Sequence, residues 1–172
     1  MTKVFGGFIV CMVLAVPVLQ AGQAWAASLE EKVKTRIEGV APSHPRLFFT
    51  EADEAGLKGK IESDTLLKAA YAYIEGSADV LLEQPPVERN VVGRRLLGTS
   101  RTCLQRVSYL AFAYRMTKNE AYLKRAEEEM LAAAGFEDWN PSHFLDVAEM
   151  TAALAVGYDW LYNDLGPESR TV

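Results

Sequence analysis

Three polar side chains interrupt an otherwise apolar run at residues 138–165. They are His143, Asp146 and Glu149. A histidine in the first turn of a helix can contact a sugar hydroxyl or a carboxylate, or can simply hydrogen-bond a neighbouring loop. Asp146 and Glu149 stand at i and i+3, so one helix face carries both. A carboxylate pair is glycosidase equipment, but a working acid and base flank the substrate from separate elements. A dipole-favoured or arginine-paired role therefore suits these two better. Arg94, Arg95 and Arg101 form a local basic cluster. Arg94 and Arg101 lie two helical turns apart and could clamp an anionic sugar through bidentate contacts, although exposed or acid-paired arginines are commoner. Trp139, just ahead of the apolar run, is the best placed aromatic for stacking on a sugar ring. Tyr158, Trp160 and Tyr162 recur at helical spacing and read as core. Asn140, His143, Arg94, Arg101 and Trp139 make up the candidate substrate-binding set; the catalytic residues are not identifiable. Cys103 sits between apolar residues on an expected helix and reads as a buried, inert thiol. His44 and His143 have no ligand-like neighbours, so neither a metal nor another cofactor is expected.

The elements needed to position these groups are helices. Within 138–165, Asn140 reads as the cap and Pro141 as the first helical residue. One apolar stripe runs from Phe144 through Thr151, Ala155 and Tyr158 to Leu165. The other side, with Met150, Ala153, Val156 and Trp160, is nearly as apolar. A helix of this kind is expected to be buried on most faces, as an inner stave among other helices. Upstream, Thr50 with Asp53, then Ser63 and Asp64, and then Asn119, read as helix starts, and Gly135 as a helix end. The prolines at 42, 45, 85 and 86 break the chain between helices. No segment alternates long enough to build a sheet, so the fold class is all-α. Leu110–Ala111–Phe112–Ala113–Tyr114 matches Leu154–Ala155–Val156–Gly157–Tyr158 at an offset of 44 residues, which fits a repeated helical hairpin that must stack or close into a ring.

Composition bounds the partners. Lys3, the apolar run 4–18 and Ala24–Trp25–Ala26 read as a signal peptide spanning 1–26, which implies a periplasmic or secreted protein with no membrane anchor after cleavage. The remainder holds 17 basic residues (18 less Lys3) against 23 acidic ones, a net charge near −6. That balance argues against nucleic acid and leaves room for a local arginine cluster facing an acidic glycan. Residues 27–49 form an arm with a short extended piece, and 50–172 the helical domain. Gly166–Pro167–Glu168–Ser169 reads as another helix start with little chain after it, and the natural domain is expected to continue past Val172.

Several segments taken together resemble the N-terminal domain of the heparinase II/III-like polysaccharide lyases. They are His44–Pro45–Arg46–Leu47–Phe48–Phe49–Thr50, Gly93–Arg94–Arg95–Leu96–Leu97, Leu110 to Arg115, and Tyr122 to Ala126. The fullest match is Asp138–Trp139–Asn140–Pro141–Ser142–His143–Phe144–Leu145–Asp146, with Ala148–Glu149–Met150 and Gly157–Tyr158–Asp159–Trp160–Leu161. The resemblance implies the first hairpins of an incomplete (α/α) toroid in an enzyme that cleaves acidic polysaccharide or oligosaccharide by β-elimination. It also implies that the catalytic Tyr and His lie outside this stretch, so the chain alone is expected to be inactive. Two other readings stand beside it: a non-catalytic tetratricopeptide-like binding protein, and a glycoside hydrolase on the same toroid.

Overall fold

The computed structural model describes Ser28, residues 31–35 and residues 43–171. The expected signal peptide lies outside the described residues. The chain divides into two units, Met1–Pro42 and Ser43–Val172. In the first, residues 31–35 are helical and exposed. The second begins within the expected arm, so the His44–Phe49 piece belongs to the helical unit.

That unit contains α1 (Glu51–Ser63), α2 (Thr65–Leu82), α3 (Leu97–Thr117), α4 (Glu120–Ala134) and α5 (Phe144–Leu161). There is no strand among the described residues, and none of their helices is long and apolar enough to cross a membrane. Capping chemistry sets most of the boundaries. Asp53 accepts from the Thr50 amide at 2.9 Å and closes a capping box on α1. The Asp64 carboxylate takes the Leu66 and Leu67 amides at 2.8 and 3.0 Å, so α2 starts one residue after α1 ends. Asn119 accepts from Ala121 at 3.1 Å to start α4. Lys118, at φ 59°, turns the chain in the left-handed region between α3 and α4.

The partners fix the directions. Gln84, just past α2, meets Arg106 midway along α3, while Tyr71 and Tyr73 meet Phe112 and Tyr109 further on, so α2 and α3 are antiparallel. Leu96 and Arg101 meet Asp146 and Glu149, and Arg115 meets Trp160, so α3 and α5 are parallel. Asp79 meets Tyr122 and Val87 meets Glu129, so α2 and α4 also run parallel. Two hairpins result, α2–α3 and α4–α5, with the two second helices side by side and the two first helices side by side. The linkers 83–96 and 135–143 therefore lie at one end. The core fills the space among α3, α4 and α5 with Val107, Leu110, Ala126, Met130, Met150 and Leu161.

Two expectations for α5 need correction. It begins at Phe144, with His143 in the cap position and Pro141 in the preceding turn. It is also buried on one side only, through Asp146, Met150, Ala153, Val156, Gly157 and Trp160. The stripe Phe144, Thr151, Ala155 and Tyr158 faces solvent, with Phe144 85% exposed. The reason is positional: α3 and α4 both lie against the same side of α5. The first half of α2 is likewise exposed around Leu66, Leu67 and Tyr73. At the chain's end the expected helix start is a single turn, closed by the Arg170 amide on the Gly166 carbonyl at 3.2 Å.

Cys103 is fully buried on α3. Burial, followed by the nearby Glu129 charge, pushes its thiol up to about 12, with Arg106 opposing. The thiolate is the reactive form. Cys103 should therefore resist iodoacetamide at pH 8 in the folded chain and react fully in denaturant, read by mass spectrometry of its tryptic peptide.

Candidate functional site

The end that carries the N-termini of α3 and α5 gathers most of the singled-out residues. Val92 and Arg95 exchange amide–carbonyl bonds of 2.9 and 3.1 Å, closing a tight turn over Gly93 and Arg94. Gly93 has φ 64°, a conformation that a side chain would strain. The turn lifts Arg94 to its tip. The Arg94 side chain is exposed and has no hydrogen-bond or ion-pair partner among the described residues.

Asn140 does not cap α5. Its backbone is left-handed at φ 58°, and its amide nitrogen donates to the Arg94 carbonyl at 3.0 Å and to Asp146 Oδ2 at 2.6 Å. The Asp138 carboxylate accepts the Asn140 amide at 2.8 Å, and Ser142 donates to Asn140 Oδ1 at 2.9 Å. Asn140 thus ties the Arg94 turn to the first turn of α5. The aspartate at the centre of this link is fully buried. Asp146 Oδ2 also accepts the Leu96 amide at 2.7 Å, where α3 begins. Burial by itself would raise the Asp146 carboxyl. The Leu96 amide, Asn140, Arg95 and His143 outweigh it and hold the group below the ordinary carboxylate value. The N-termini of two helices add positive potential at the same point. Among the described residues Asp146 Oδ1 has no hydrogen-bond partner, and Arg95 Nη1 stands 3.9 Å from it.

The other candidates sit nearby with different partners. His143 occupies the α5 cap position, half-buried, with Nδ1 3.0 Å from Ser142 Oγ. Arg101 Nε is shared between both Glu149 oxygens at 3.1 Å, so it is acid-paired across α3 and α5. An exposed pair of this kind adds little stability. The Trp139 indole donates to the Ala133 carbonyl at 2.9 Å, and its ring packs against the core, so it finishes α4. Arg94, Asn140 and Asp146 are joined directly, His143 adjoins them, and Arg101 pairs one turn further along α5. Sequence reasoning passed over Arg95 as a separate contributor. Its signal was its place two residues after Gly93, which marks the turn that presents both arginines. Among the described residues no group of acidic, His or Cys side chains is arranged to hold a metal.

A second constellation holds the opposite end. Asp159, on the last turns of α5, accepts the Arg46 and Leu47 amides at 2.8 and 2.7 Å through Oδ2, and contacts His44 Nδ1 at 2.7 Å through Oδ1. His44 stacks on Tyr162 at 4.1 Å, and Asn163 donates to the His44 carbonyl at 3.0 Å. The Trp160 indole donates to the Leu47 carbonyl at 2.9 Å. The segments His44–Thr50 and Gly157–Leu161 are therefore one structural unit. The sequence matches no protein-family model and no curated protein.

Proposed function

We propose that this chain is the N-terminal part of a heparinase II/III-like polysaccharide lyase, and that the end built by Arg94, Arg95, Asn140 and His143 binds an acidic polysaccharide. The observation that carries the reading is the pairing of two parallel helix N-termini with an arginine turn whose tip guanidinium has no partner among the described residues. Neither helix has a side-chain cap hydrogen bond, and the first amides of a helix have no partner within the helix itself. Such an end suits a uronate carboxylate, whose charge the dipoles and a bidentate arginine both favour. The two antiparallel hairpins, with like helices side by side, are the arrangement that an (α/α) toroid repeats. The Tyr and His that would abstract the proton alpha to the carboxylate belong to parts beyond these hairpins in the family that the sequence resembles. The role of this chain is to grip the glycan.

Affinity electrophoresis in gels containing polygalacturonate, alginate or heparin, with dextran as the neutral control, tests the reading. Retardation is expected in at least one acidic gel and none in dextran, and it should fade as salt rises. The Arg94→Ala/Arg95→Ala variant should bind at least tenfold more weakly, from the loss of charge-assisted contacts of roughly 1.5–3 kcal/mol each. No binding to any acidic gel at low salt, or binding indifferent to both arginines, would overturn it. Bound glycan should show no rise in near-ultraviolet absorbance. New reducing ends without that absorbance would favour the hydrolase alternative instead.

A further inference from the structure

One face of α3 carries a feature that the arginine end does not use. Gly98, Thr102, Gln105 and Tyr109 follow one another at helical spacing over about 16 Å of that helix. Two hollows lie along them. The first, of about 590 Å³, is lined by Asn90, Val92 and Gly98. The second, of about 570 Å³ between α2 and α3, is lined by Tyr73, Gly76, Val80, Gln105 and Tyr109. Thr102 and Arg106 line both, so the two make one trough. Val92 also opens the turn that carries Arg94, so the trough starts beside the arginine end. Nothing lies within 4 Å of the points where side chains on Gly76 and Gly98 would begin. The Tyr73 and Tyr109 rings stand edge to face at 6.2 Å, and Tyr73 is 65% exposed. The side chains of Thr102 and Gln105 have no hydrogen-bond partner among the described residues.

The charge at the junction has a sign. Glu129 serves two guanidinium groups, Arg106 Nη1 at 3.5 Å and the buried Arg125 Nη2 at 2.7 Å. One carboxylate against two cations leaves a positive charge in excess, and burial lets its field act with little screening. The lining adds one acid, Glu88, and one arginine, Arg89, which Glu137 and Asp138 already pair. An aromatic pair suits a sugar ring, the free hydroxyl and amide of Thr102 and Gln105 suit its hydroxyls, and the uncancelled cation suits its carboxylate. We propose that the acidic polysaccharide continues from the arginine end along this trough, setting a second carboxylate against Arg106 and a sugar ring on Tyr73 and Tyr109. The inference rests on the reading of the arginine end as a glycan grip. It adds that the ligand is a polyuronate, with carboxylates recurring along the chain, held over several sugars.

Isothermal titration of the full chain with a long oligogalacturonate at low salt tests this, with a maltooligosaccharide of equal length as the uncharged control. Val80→Glu places a carboxylate in the trough, Val80→Gln adds the same bulk without charge, and Tyr73→Ala removes the exposed ring. Both positions are exposed, so circular dichroism and Tm should match the parent. The parent should bind the oligogalacturonate and not the control. Val80→Glu and Tyr73→Ala should each bind about tenfold more weakly, and Val80→Gln should stay within about threefold of the parent. Adding Val80→Glu to Arg94→Ala/Arg95→Ala should weaken binding beyond either alone. Binding that needs the two arginines but ignores Val80→Glu and Tyr73→Ala would overturn the trough and leave the arginine end standing. Binding that needs the trough but ignores the arginines would do the reverse. No binding at all would overturn both, and equal losses in Val80→Gln and Val80→Glu would overturn the carboxylate contact at Arg106.

Discussion

Replacing Asp159 with Ala should destabilise the helical unit by roughly 3–5 kcal/mol and lower its Tm by on the order of 10 °C. The carboxylate accepts two main-chain amides and the ring of a buried histidine. Its removal leaves these donors without an acceptor, and a buried donor stripped of its partner costs more than the bond itself contributes. The other ties of the segment it holds are two hydrogen bonds, from Trp160 to the Leu47 carbonyl and from Asn163 to the His44 carbonyl, and ring contacts of His44 with Tyr162, Phe48 with Trp160, and Phe49 with Trp160 and Phe112. Chemical denaturation and limited trypsin digestion check the point. The variant should be nicked after Arg46 under conditions that leave the parent whole, and a loss below about 1 kcal/mol with no new nick would refute it.

The same carboxylate gives a pH dependence with a definite sign. Burial raises the Asp159 carboxyl, but the Leu47 and Arg46 amides and His44 together lower it below its ordinary value of 3.8. A folded value below the unfolded one means that the unfolded chain takes up the proton first as pH falls. The contribution of Asp159 is therefore complete above 3.8 and is lost as pH drops through the lower folded value. Acid titration of stability in the parent should show this loss, and in Asp159→Ala it should be smaller.

Asp159 belongs to a pattern that was not legible in the sequence. Three buried carboxylates each accept an amide from a connecting segment: Asp159 from Arg46 and Leu47, Asp146 from Leu96, and Glu129 from Val87 at 3.2 Å. Each pair is separated by tens of residues or more, so no local spacing announces it. Glu129 lies in a helix full of acids and reads as one more solvated charge, yet it is fully buried against Arg125 and Arg106. Helix existence was legible because it rests on local chemistry: the Thr50 box, the Asp64 and Asn119 caps, and the proline breaks all act within a few residues. The start of α5 was not. Asn140 and Pro141 form a good local start signal, but Asp146 draws the Asn140 amide away and the helix begins three residues later. The buried side of α5 was also out of reach, since both sides are apolar and only the positions of α3 and α4 choose between them. An arginine-paired role for Glu149 was a reading from charge alone, but its partner was not: Arg101 stood in the candidate substrate-binding set, and only the placement of α3 beside α5 pairs the two.

Gly157→Ala should cost about 1–3 kcal/mol, against the gain of about 1 kcal/mol that alanine normally brings to a helix interior. A Cβ at Gly157 would lie 2.5 Å from Val107 Cγ1 and closer still to Met130 Sδ. The Met130 side chain can swing aside. Val107 is fully buried and β-branched, so it has no free rotamer to adopt, and α3 itself must shift. The repeat supplies an internal contrast, because the counterpart of Gly157 in the first hairpin is Ala113, which is fully buried yet keeps its methyl. The second hairpin is seated more tightly than the first at this level, and the glycine is what permits it. Val107→Ala opens the clash from the other side. The double variant Gly157→Ala/Val107→Ala should be more stable than the sum of the single losses by at least about 1 kcal/mol, measured by urea unfolding. Additive losses, or a Gly157→Ala chain more stable than the parent, would mean that α3 and α5 do not approach this closely in solution. The side-by-side placement of the two repeat-related helices, on which the arginine-bearing end depends, would fail with it.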